Sequence, residues 1–124
     1  MDIIDLDHLV LRTTEVERAL TFYTEVLGLA PVRVDEWRAG KVGFPSVRVS
    51  ATTIIDLFEV ESRDGDGALD HFCLVVDPVD WSEEIARGLP VTRGPVKNYG
   101  ARGLGQSVYL HDPDGNRIEL RYYA

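Results

Sequence analysis

The chain has 124 residues, and its 44% hydrophobic and 27% charged content is ordinary for a folded globular domain. Its 13 basic and 21 acidic residues give a net charge of −8, which disfavours a nucleic-acid or anionic-membrane partner because phosphates repel such a surface. No stretch approaches the ~20 apolar residues that span a bilayer. The N-terminus lacks the basic start of a signal peptide, and the single cysteine, Cys73, cannot form an internal disulfide. We therefore expect a cytoplasmic, single-domain protein.

The first half of the chain predicts a strand, a helix and three shorter strands. Residues 3–12 are rich in apolar and β-branched side chains, as strands are. Thr14, followed three residues later by Glu17, is a capping-box signal for a helix, and Gly28 is placed to end it. The shorter strands are expected at about 31–36, 41–49 and 52–60.

The second half predicts the same order of elements. Residues 69–76 are expected to form a strand, and Asp77 with Pro78 is typical of a helix start, with Gly88 at its end. Three shorter strands are expected at about 90–96, 104–111 and 116–123. A tight turn is predicted over Asp112–Gly115, between the last two strands.

The two halves are an internal repeat without gaps, at an offset of 63 residues. Leu6-Asp7-His8 falls on Leu69-Asp70-His71, and Ile55-Asp56-Leu57 falls on Ile118-Glu119-Leu120. The repeat predicts an α+β fold of two tandem βαβββ modules, at about 3–60 and 67–123. The modules are expected to form one curved, cup-like mixed sheet with helices on its outer face.

Strand alternation predicts where the polar members of the repeat point, because successive side chains face opposite sides of a sheet. His8 should face away from the helix that covers Leu9 and Leu11, and His71 should do the same in the second module. On the last strand of each module, Asp56 and Glu119 should face the same concave side. Pairing of the modules would bring these four groups to one point, although a purely structural polar cluster is the alternative.

Two imidazoles with one or two carboxylates are a mixed nitrogen and oxygen donor set. Such a set suits one divalent ion of Mn, Fe, Co, Ni or Zn, and a catalytic site would keep open positions for substrate. The third histidine, His111, is not part of this pattern, because the repeat places it on Arg48. An exposed loop histidine is the favoured interpretation there.

Several phrases of the chain resemble the vicinal oxygen chelate superfamily, which includes glyoxalase I, bleomycin-resistance proteins and extradiol dioxygenases. The phrases are Leu6–Val10, FY-x-x-VLGL at 22–29, Leu69–His71 and DPDGN-x-IEL at 112–120. The resemblance implies metal ligands at His8, Asp56, His71 and Glu119. Asp56 departs from the usual Glu, Gln or His, so the set has either three or four members.

The resemblance also implies chemistry at that metal. A substrate would bind the ion through one or two oxygens, and a carboxylate near the ion would move a proton next to a carbonyl. Glu119 is the first candidate for this base and Asp56 the second. A homodimer is expected, with the modules pairing either within one chain or across the dimer.

Four further residues are candidates for substrate binding. Ser107 and Tyr109 share a strand face, and their Ser-x-Tyr pattern resembles substrate contacts in fosfomycin-resistance proteins, although plain strand filler fits equally. Lys97 and Arg102 lie in a Gly-rich basic segment, 93–106, which is either a mobile loop for an anionic substrate or solvated surface. Cys73 is expected to be a small buried thiol.

Two function classes remain open from the sequence. The first is a metal-dependent lyase, isomerase or ring-cleaving dioxygenase that acts on a small oxygen-rich molecule. The second is a metal-free protein that sequesters a small molecule, as bleomycin-binding relatives do. The retained ligand set favours the enzyme.

Overall fold

The computed structural model describes residues 1–62, 67–111 and 117–124. The predicted turn over Asp112–Gly115 lies outside the described residues. The strands are β1 (Ile3–Thr13), β2 (Ala30–Val32), β3 (Ser46–Arg48), β4 (Ile54–Glu59), β5 (Leu69–Val76), β6 (Arg93–Gly100), β7 (Gly103–His111) and β8 (Arg117–Tyr122). The helices are α1 (Val16–Thr21), α2 (Val34–Arg38) and α3 (Trp81–Ala86), and a π-helical turn at Phe22–Val26 follows α1 directly. The α+β class and the mixed β-sheet are confirmed.

The chain divides into two compact units, and β1 contributes to both. One unit comprises Met1–His8 and His71–Ala124, and the other comprises Leu9–Asp70. We call them the split unit and the continuous unit. In the continuous unit the strands are ordered β2-β3-β4-β1, and β2-β3 and β3-β4 are antiparallel. In the split unit the order is β1-β5-β8-β7-β6, with β5 and β8 parallel and the pairs β8-β7 and β7-β6 antiparallel.

Each unit has its own apolar cluster under a helix, as the alternation of the strands predicts. In the continuous unit α1 packs on β3 and β4 through Val16, Leu20, Val47 and Leu57, with Leu11 and Ile55 beside them. In the split unit the equivalent cluster is Val76, Trp81, Val108 and Leu120, with Leu74 and Ile118 beside them. The prediction for the helix-packed face is therefore confirmed for Leu11, Ile55 and Leu57 in one module and for Leu74, Ile118 and Leu120 in the other. Leu9, which was expected beside Leu11, is not among the residues of the first cluster.

Both helix ends at glycine are confirmed, because Gly28 and Gly88 have φ angles of +73° and +109°, which side chains with a Cβ rarely adopt. The predicted helix starts are wrong. α1 begins at Val16 and has no side-chain cap, since the Thr13 hydroxyl accepts the backbone N–H of Glu15 instead.

The start of α3 was also predicted too early. Asp80, and not Asp77, is its N-cap, because its carboxylate accepts the backbone N–H groups of Ser82 and Glu83. Two backbone N–H groups of the first turn thereby gain a charged acceptor. The helix start that was predicted at Asp77 and Pro78 is therefore three residues too early.

Two predicted strands of the first module are much shorter than expected. The chain leaves β2 at Val32, and Arg33 adopts a left-handed backbone with φ of +55° that turns it into the unpredicted α2. Asp35 and Glu36 in the first turn of α2 favour the helix, because they face its positive end. The predicted strand 41–49 is reduced to β3.

The Gly-rich segment 93–106 is not a loop. It forms β6 and the start of β7, which pair antiparallel and are joined by Ala101 and Arg102. Within the described ranges, no helix has the length and apolar character needed to cross a membrane.

Candidate functional site

Two histidines from neighbouring strands of the split unit meet in a buried position. His8 lies on β1 and His71 on β5, and their side chains are nearly inaccessible to solvent. Their rings meet edge to face with centroids 5.5 Å apart. The two repeat-related histidines therefore lie together within one chain.

Glu119 joins the two histidines from β8. Because β8 runs parallel to β5 with Glu119 beside Cys73, its carboxylate lies next to both rings. Glu119 Oε1 is 3.0 Å from His71 Nε2 and 3.2 Å from His8 Nε2. The potential ligand atoms of these three residues all lie within 4.8 Å of one another. We call this set the His–His–Glu cluster.

The second carboxylate oxygen of Glu119, Oε2, accepts two hydrogen bonds from residues outside the cluster. Ser107 Oγ on β7 donates to Glu119 Oε2 at 2.8 Å, and Arg121 Nη1 donates to the same oxygen at 3.2 Å. Arg121 is completely buried. The carboxylate is therefore oriented so that Oε1 faces the imidazoles, while Oε2 is occupied.

His8 is oriented by the residue before it. Asp7 Oδ2 accepts a hydrogen bond from His8 Nδ1 at 2.7 Å and from the backbone N–H of Ala101 at 2.9 Å, while the Tyr123 hydroxyl donates to Asp7 Oδ1. With Nδ1 bound to Asp7, Nε2 is the ring nitrogen of His8 that faces the cluster. A carboxylate behind a ligating imidazole is the usual arrangement of metal sites.

The electrostatics of the cluster keep Glu119 ionised. Burial by itself would raise the pKa of Glu119, but hydrogen bonds with His71 and His8, with the positive charges of His8 and Arg121, lower that pKa well below its usual value. Burial opposes charge on His8 as well, yet hydrogen bonds, first of all that to Asp7, raise the pKa of His8. In the metal-free protein these directions favour a protonated His8 next to an ionised Glu119.

The cluster fits a divalent metal ion on its own geometry. Ligands about 2.1 Å from a metal and at right angles to each other lie ~3 Å apart. The two imidazole-to-carboxylate distances of 3.0 Å and 3.2 Å match this spacing. The atoms are buried, and they form the mixed nitrogen and oxygen set that suits Mn, Fe, Co, Ni or Zn.

Asp56 lies in the continuous unit. It is buried on β4, where Ser46 Oγ donates a hydrogen bond to its Oδ1. Ser46 and Asp56 are cross-strand partners, as Tyr109 and Glu119 are in the second module. The structure thus preserves the repeat at this position, and the role of Asp56 as fourth ligand or base stays a prediction.

The predicted substrate residues Ser107 and Tyr109 are both buried beside the cluster. Ser107 supports Glu119, and it also lies 3.0 Å from Asn98 Oδ1. The ring of Tyr109 meets His71 edge to face, with centroids 5.7 Å apart, and its hydroxyl accepts a hydrogen bond from Asn98 Nδ2. Burial, and the charge of Glu119 next to it, raise the pKa of Tyr109 to about 12, so this phenol stays protonated.

The two basic candidates are in different surroundings. Lys97 is exposed on β6. Arg102 forms an ion pair with Asp5 at 3.0 Å, and its guanidinium lies over the ring of Tyr123 at 5.3 Å from the centroid. The predicted exposed position of His111 is confirmed, although His111 ends β7 instead of lying in a loop.

Cys73 is buried, as expected, and its thiol lies near His8 and Asp7. Burial raises the pKa of Cys73 to about 12, which keeps the thiol neutral. A second metal site at Asp7, His8 and Cys73 is disfavoured, because both oxygens of Asp7 already accept hydrogen bonds.

Three residues that contact the candidate site were not predicted from sequence: Asp7, Asn98 and Arg121. Arg121 had a usable signal, because residues two apart on a strand share a face and Glu119 and Arg121 alternate with Leu120. Asp7 precedes His8 directly, but the same dipeptide recurs at Asp70 in a different setting. There Asp70 pairs with Arg12 at 2.8 Å.

Comparison with known proteins identifies a matching family and several similar proteins. The sequence profile of the Glyoxalase/Bleomycin resistance protein/Dioxygenase superfamily matches residues 5–120. Virulence protein STM3117 of Salmonella typhimurium is 34% identical over 122 residues, which cover 96% of this chain and 84% of that protein. A lactoylglutathione lyase of Salmonella typhimurium is 34% identical over 123 residues, covering 91% of this chain and 88% of the lyase.

The fold has solved counterparts as well. The methylmalonyl-CoA epimerase of Mycobacterium tuberculosis superposes with a TM-score of 0.68, at 18% identity, over 98% of this chain and 89% of the epimerase. At that identity the likeness concerns the fold alone. The match over residues 5–120, together with the 34% identical relatives, means that the chain belongs to the Glyoxalase/Bleomycin resistance protein/Dioxygenase superfamily, that is, to the vicinal oxygen chelate proteins.

Proposed function

We propose that this protein is a metal-dependent lyase or isomerase that acts on a small oxygen-rich substrate. The observation that carries the proposal is the His–His–Glu cluster, in which two buried imidazoles and one ionised carboxylate converge. His8, His71 and Glu119 would hold one divalent ion of Fe, Mn, Ni, Co or Zn. When bound, that ion would act as a Lewis acid that stabilises charge developing on substrate oxygens.

In this proposal Glu119 is a metal ligand and not the catalytic base. A carboxylate with a strongly lowered pKa is a weak proton acceptor near neutral pH. Its second oxygen is also held by Ser107 and Arg121, which restricts movement toward a substrate. Proton transfer next to a carbonyl would then be the task of Asp56, the repeat-related carboxylate.

Substrate contacts are proposed for Tyr109 and Ser107, which lie beside the His–His–Glu cluster. Lys97 and Arg102 lie outside the cluster and are proposed to bind an anionic group of the substrate. Tyr109 is the strongest of these, because its protonated hydroxyl can donate to a substrate oxygen and its ring lies against His71. Ser107 would contribute mainly through Glu119. A homodimer that works in the cytoplasm is proposed from the family pattern, and light scattering of the purified protein tests the dimer.

The first experiment measures metal binding. Purified protein is stripped with a chelator and titrated with Mn²⁺, Fe²⁺, Co²⁺, Ni²⁺ and Zn²⁺ by calorimetry. We expect one ion per site in the wild type and none in the double variant His8→Ala/His71→Ala. The variant His111→Ala is the matched control, because it removes the one histidine outside the cluster. Equal binding by the double variant and the control would refute the site.

The second experiment tests the reaction class. The similarity to a lactoylglutathione lyase suggests the hemithioacetal of glutathione and methylglyoxal, an isomer of lactoylglutathione, as the first substrate. Formation of the thioester is followed by its ultraviolet absorbance. We expect Asp56→Asn to lower kcat while the metal affinity is kept. A loss of metal from Asp56→Asn would instead make Asp56 the fourth ligand.

A ring-cleaving dioxygenase is the second candidate, and the three-membered donor set favours it. Two histidines and one carboxylate are the typical ligands of non-haem Fe(II) oxygenases. Oxygen uptake with catechols in the presence of Fe²⁺ distinguishes this reaction from isomerisation. Failure to bind any of the five metals would favour the remaining alternative, a metal-free protein that sequesters a small molecule.

A further inference from the structure

Arg121 is the most unusual charged residue of the split unit. It is fully buried, and its guanidinium lies between two buried carboxylates: Nη1 is 3.2 Å from Glu119 Oε2 and 3.9 Å from Asp7 Oδ2. Asp7 orients His8, and Glu119 is itself in the His–His–Glu cluster. The Arg121 guanidinium therefore contacts Asp7, which orients the proposed ligand His8, and also the carboxylate of the proposed ligand Glu119.

The surroundings of Arg121 are built to hold this side chain. Nη1 donates to the backbone carbonyl of Tyr99 at 3.1 Å, and Nη2 donates to that of Asn98 at 2.6 Å. Gly100 and Gly105 leave the necessary space on β6 and β7. A Cβ at Gly105 would lie 2.9 Å from Nε and Nη2 of Arg121, and a Cβ at Gly100 would collide with Nη1.

We propose that Arg121 is a charge-balancing positioning residue of the metal centre, which restricts Glu119 to one-oxygen ligation and weakens its hold on the cation. This inference rests on the proposed function and deepens it. A guanidinium bound to Oε2 withdraws negative charge from the carboxylate and repels a divalent cation at Oε1. It also donates to the oxygen that two-oxygen ligation would require, so a bound ion would keep an additional position for substrate.

A purely structural arginine makes the opposite prediction for metal affinity. If Arg121 only kept Glu119 in place, its loss would let the carboxylate move and would weaken metal binding. If it balances charge, its neutralisation strengthens metal binding even though the metal-free protein becomes less stable. The sign of the change in metal affinity therefore separates the two roles.

The test compares Arg121→Gln with Arg121→Lys, which keeps the positive charge. Zn²⁺ and Mn²⁺ affinities of the chelator-stripped proteins are measured by calorimetry at pH 8. We expect Arg121→Gln to bind each ion about tenfold more tightly than the wild type, and Arg121→Lys to stay within about threefold of it. Arg12→Gln is the control for overall charge, because Arg12 pairs with Asp70 and not with a member of the cluster, and we expect wild-type affinity.

A second readout follows the ligation of Glu119 directly. The absorption spectrum of the Co²⁺ form reports coordination number. We expect Arg121→Gln to change it, since Oε2 then keeps only the hydrogen bond from Ser107 and can approach the ion. If Arg121→Gln does not fold, citrulline at position 121 removes the charge from a side chain of the same shape, and the same increase in affinity is expected.

The outcomes are distinguishable from a failure of the proposed function. Wild-type protein that binds none of these ions would overturn both proposals. Wild-type protein that binds metal, with weaker or unchanged affinity in the folded neutral variants, would overturn this inference alone.

Discussion

The change Asp7→Asn tests whether Asp7 orients His8 for metal binding. The side chain of Asp7 is inaccessible to solvent, and it accepts hydrogen bonds from His8, Ala101 and Tyr123. Asparagine keeps one acceptor oxygen and places an amide NH₂ where the other oxygen was, so at least one of these donors loses its partner. Loss of one buried partner costs about 1–3 kcal/mol, and we expect the free energy of unfolding of the metal-free protein to fall by about that amount.

The larger effect is expected on metal affinity. Removing the carboxylate behind a ligating imidazole typically weakens metal binding by about 10–100-fold, which corresponds to roughly 1.4–2.7 kcal/mol. The matched control is Asp70→Asn, because Asp70 precedes His71 as Asp7 precedes His8. Asp70 nevertheless pairs with Arg12, through Nε at 3.0 Å and Nη2 at 2.8 Å. We expect Asp70→Asn to bind metal as the wild type does.

The assay is calorimetric titration of Zn²⁺ into the three chelator-stripped proteins, with unfolding in urea measured on the same samples. The reasoning is refuted if Asp7→Asn keeps wild-type metal affinity, or if Asp70→Asn loses as much affinity as Asp7→Asn. A stability loss in Asp7→Asn without a loss of metal affinity would leave Asp7 only a structural role.

Three further predictions concern the thiol, the acid stability and the helix caps. Cys73 is buried and its pKa is raised to about 12, so Ellman's reagent at pH 8 should label it only at the rate of unfolding; fast stoichiometric labelling of native protein would contradict its burial. The pKa values of Asp7 and Glu119 are lower in the folded than in the unfolded protein, so both carboxylates stabilise the metal-free protein above pH ~4. This stabilisation is lost as the pH falls further. The free energy of unfolding of Glu119→Gln should therefore depend less on pH, between about 5 and 2, than that of the wild type. Asp80→Ala should destabilise the protein by about 1 kcal/mol, whereas Thr14→Ala should change urea unfolding by less than about 0.5 kcal/mol; equal effects would show that the Asp80 cap contributes nothing.

Much of the fold follows from local patterns in the sequence. Side chains alternate between the two faces along each strand, and this alternation is enough to assign the helix-packed face of the sheet. It places Leu11 and Leu57 on that face in one module, and Leu74 and Leu120 in the other. The helix ends at Gly28 and Gly88 follow from a backbone conformation that favours glycine. These properties depend on neighbours within a few residues, so the sequence carries them directly.

The elements that were predicted wrongly depend on competition between neighbouring signals. Thr14 and Asp77 are good capping residues by type, but the N-cap positions of α1 and α3 are Glu15 and Asp80, one and three residues later. The hydrogen bonds are made by Thr13, which precedes Thr14, and by Asp80. The strand expected at 31–36 ends early because Arg33 adopts a left-handed turn. A residue type favours a conformation, but packing of the whole element decides where that element begins.

The sequence by itself determined that each half begins with a strand and a helix and contains three further strands, although α2 was missed in the first half. It also determined that His8, His71 and Glu119 lie on the face of the sheet away from the helices. The tertiary structure decided which of two identical Asp-His dipeptides supports a ligand. Asp7 obtains its partners from Ala101 and Tyr123, which are 94 and 116 residues away in the chain, while Asp70 pairs with Arg12. Strand periodicity fixes the direction of a side chain from its own backbone, but the group it meets comes from distant segments whose approach only the folded chain defines.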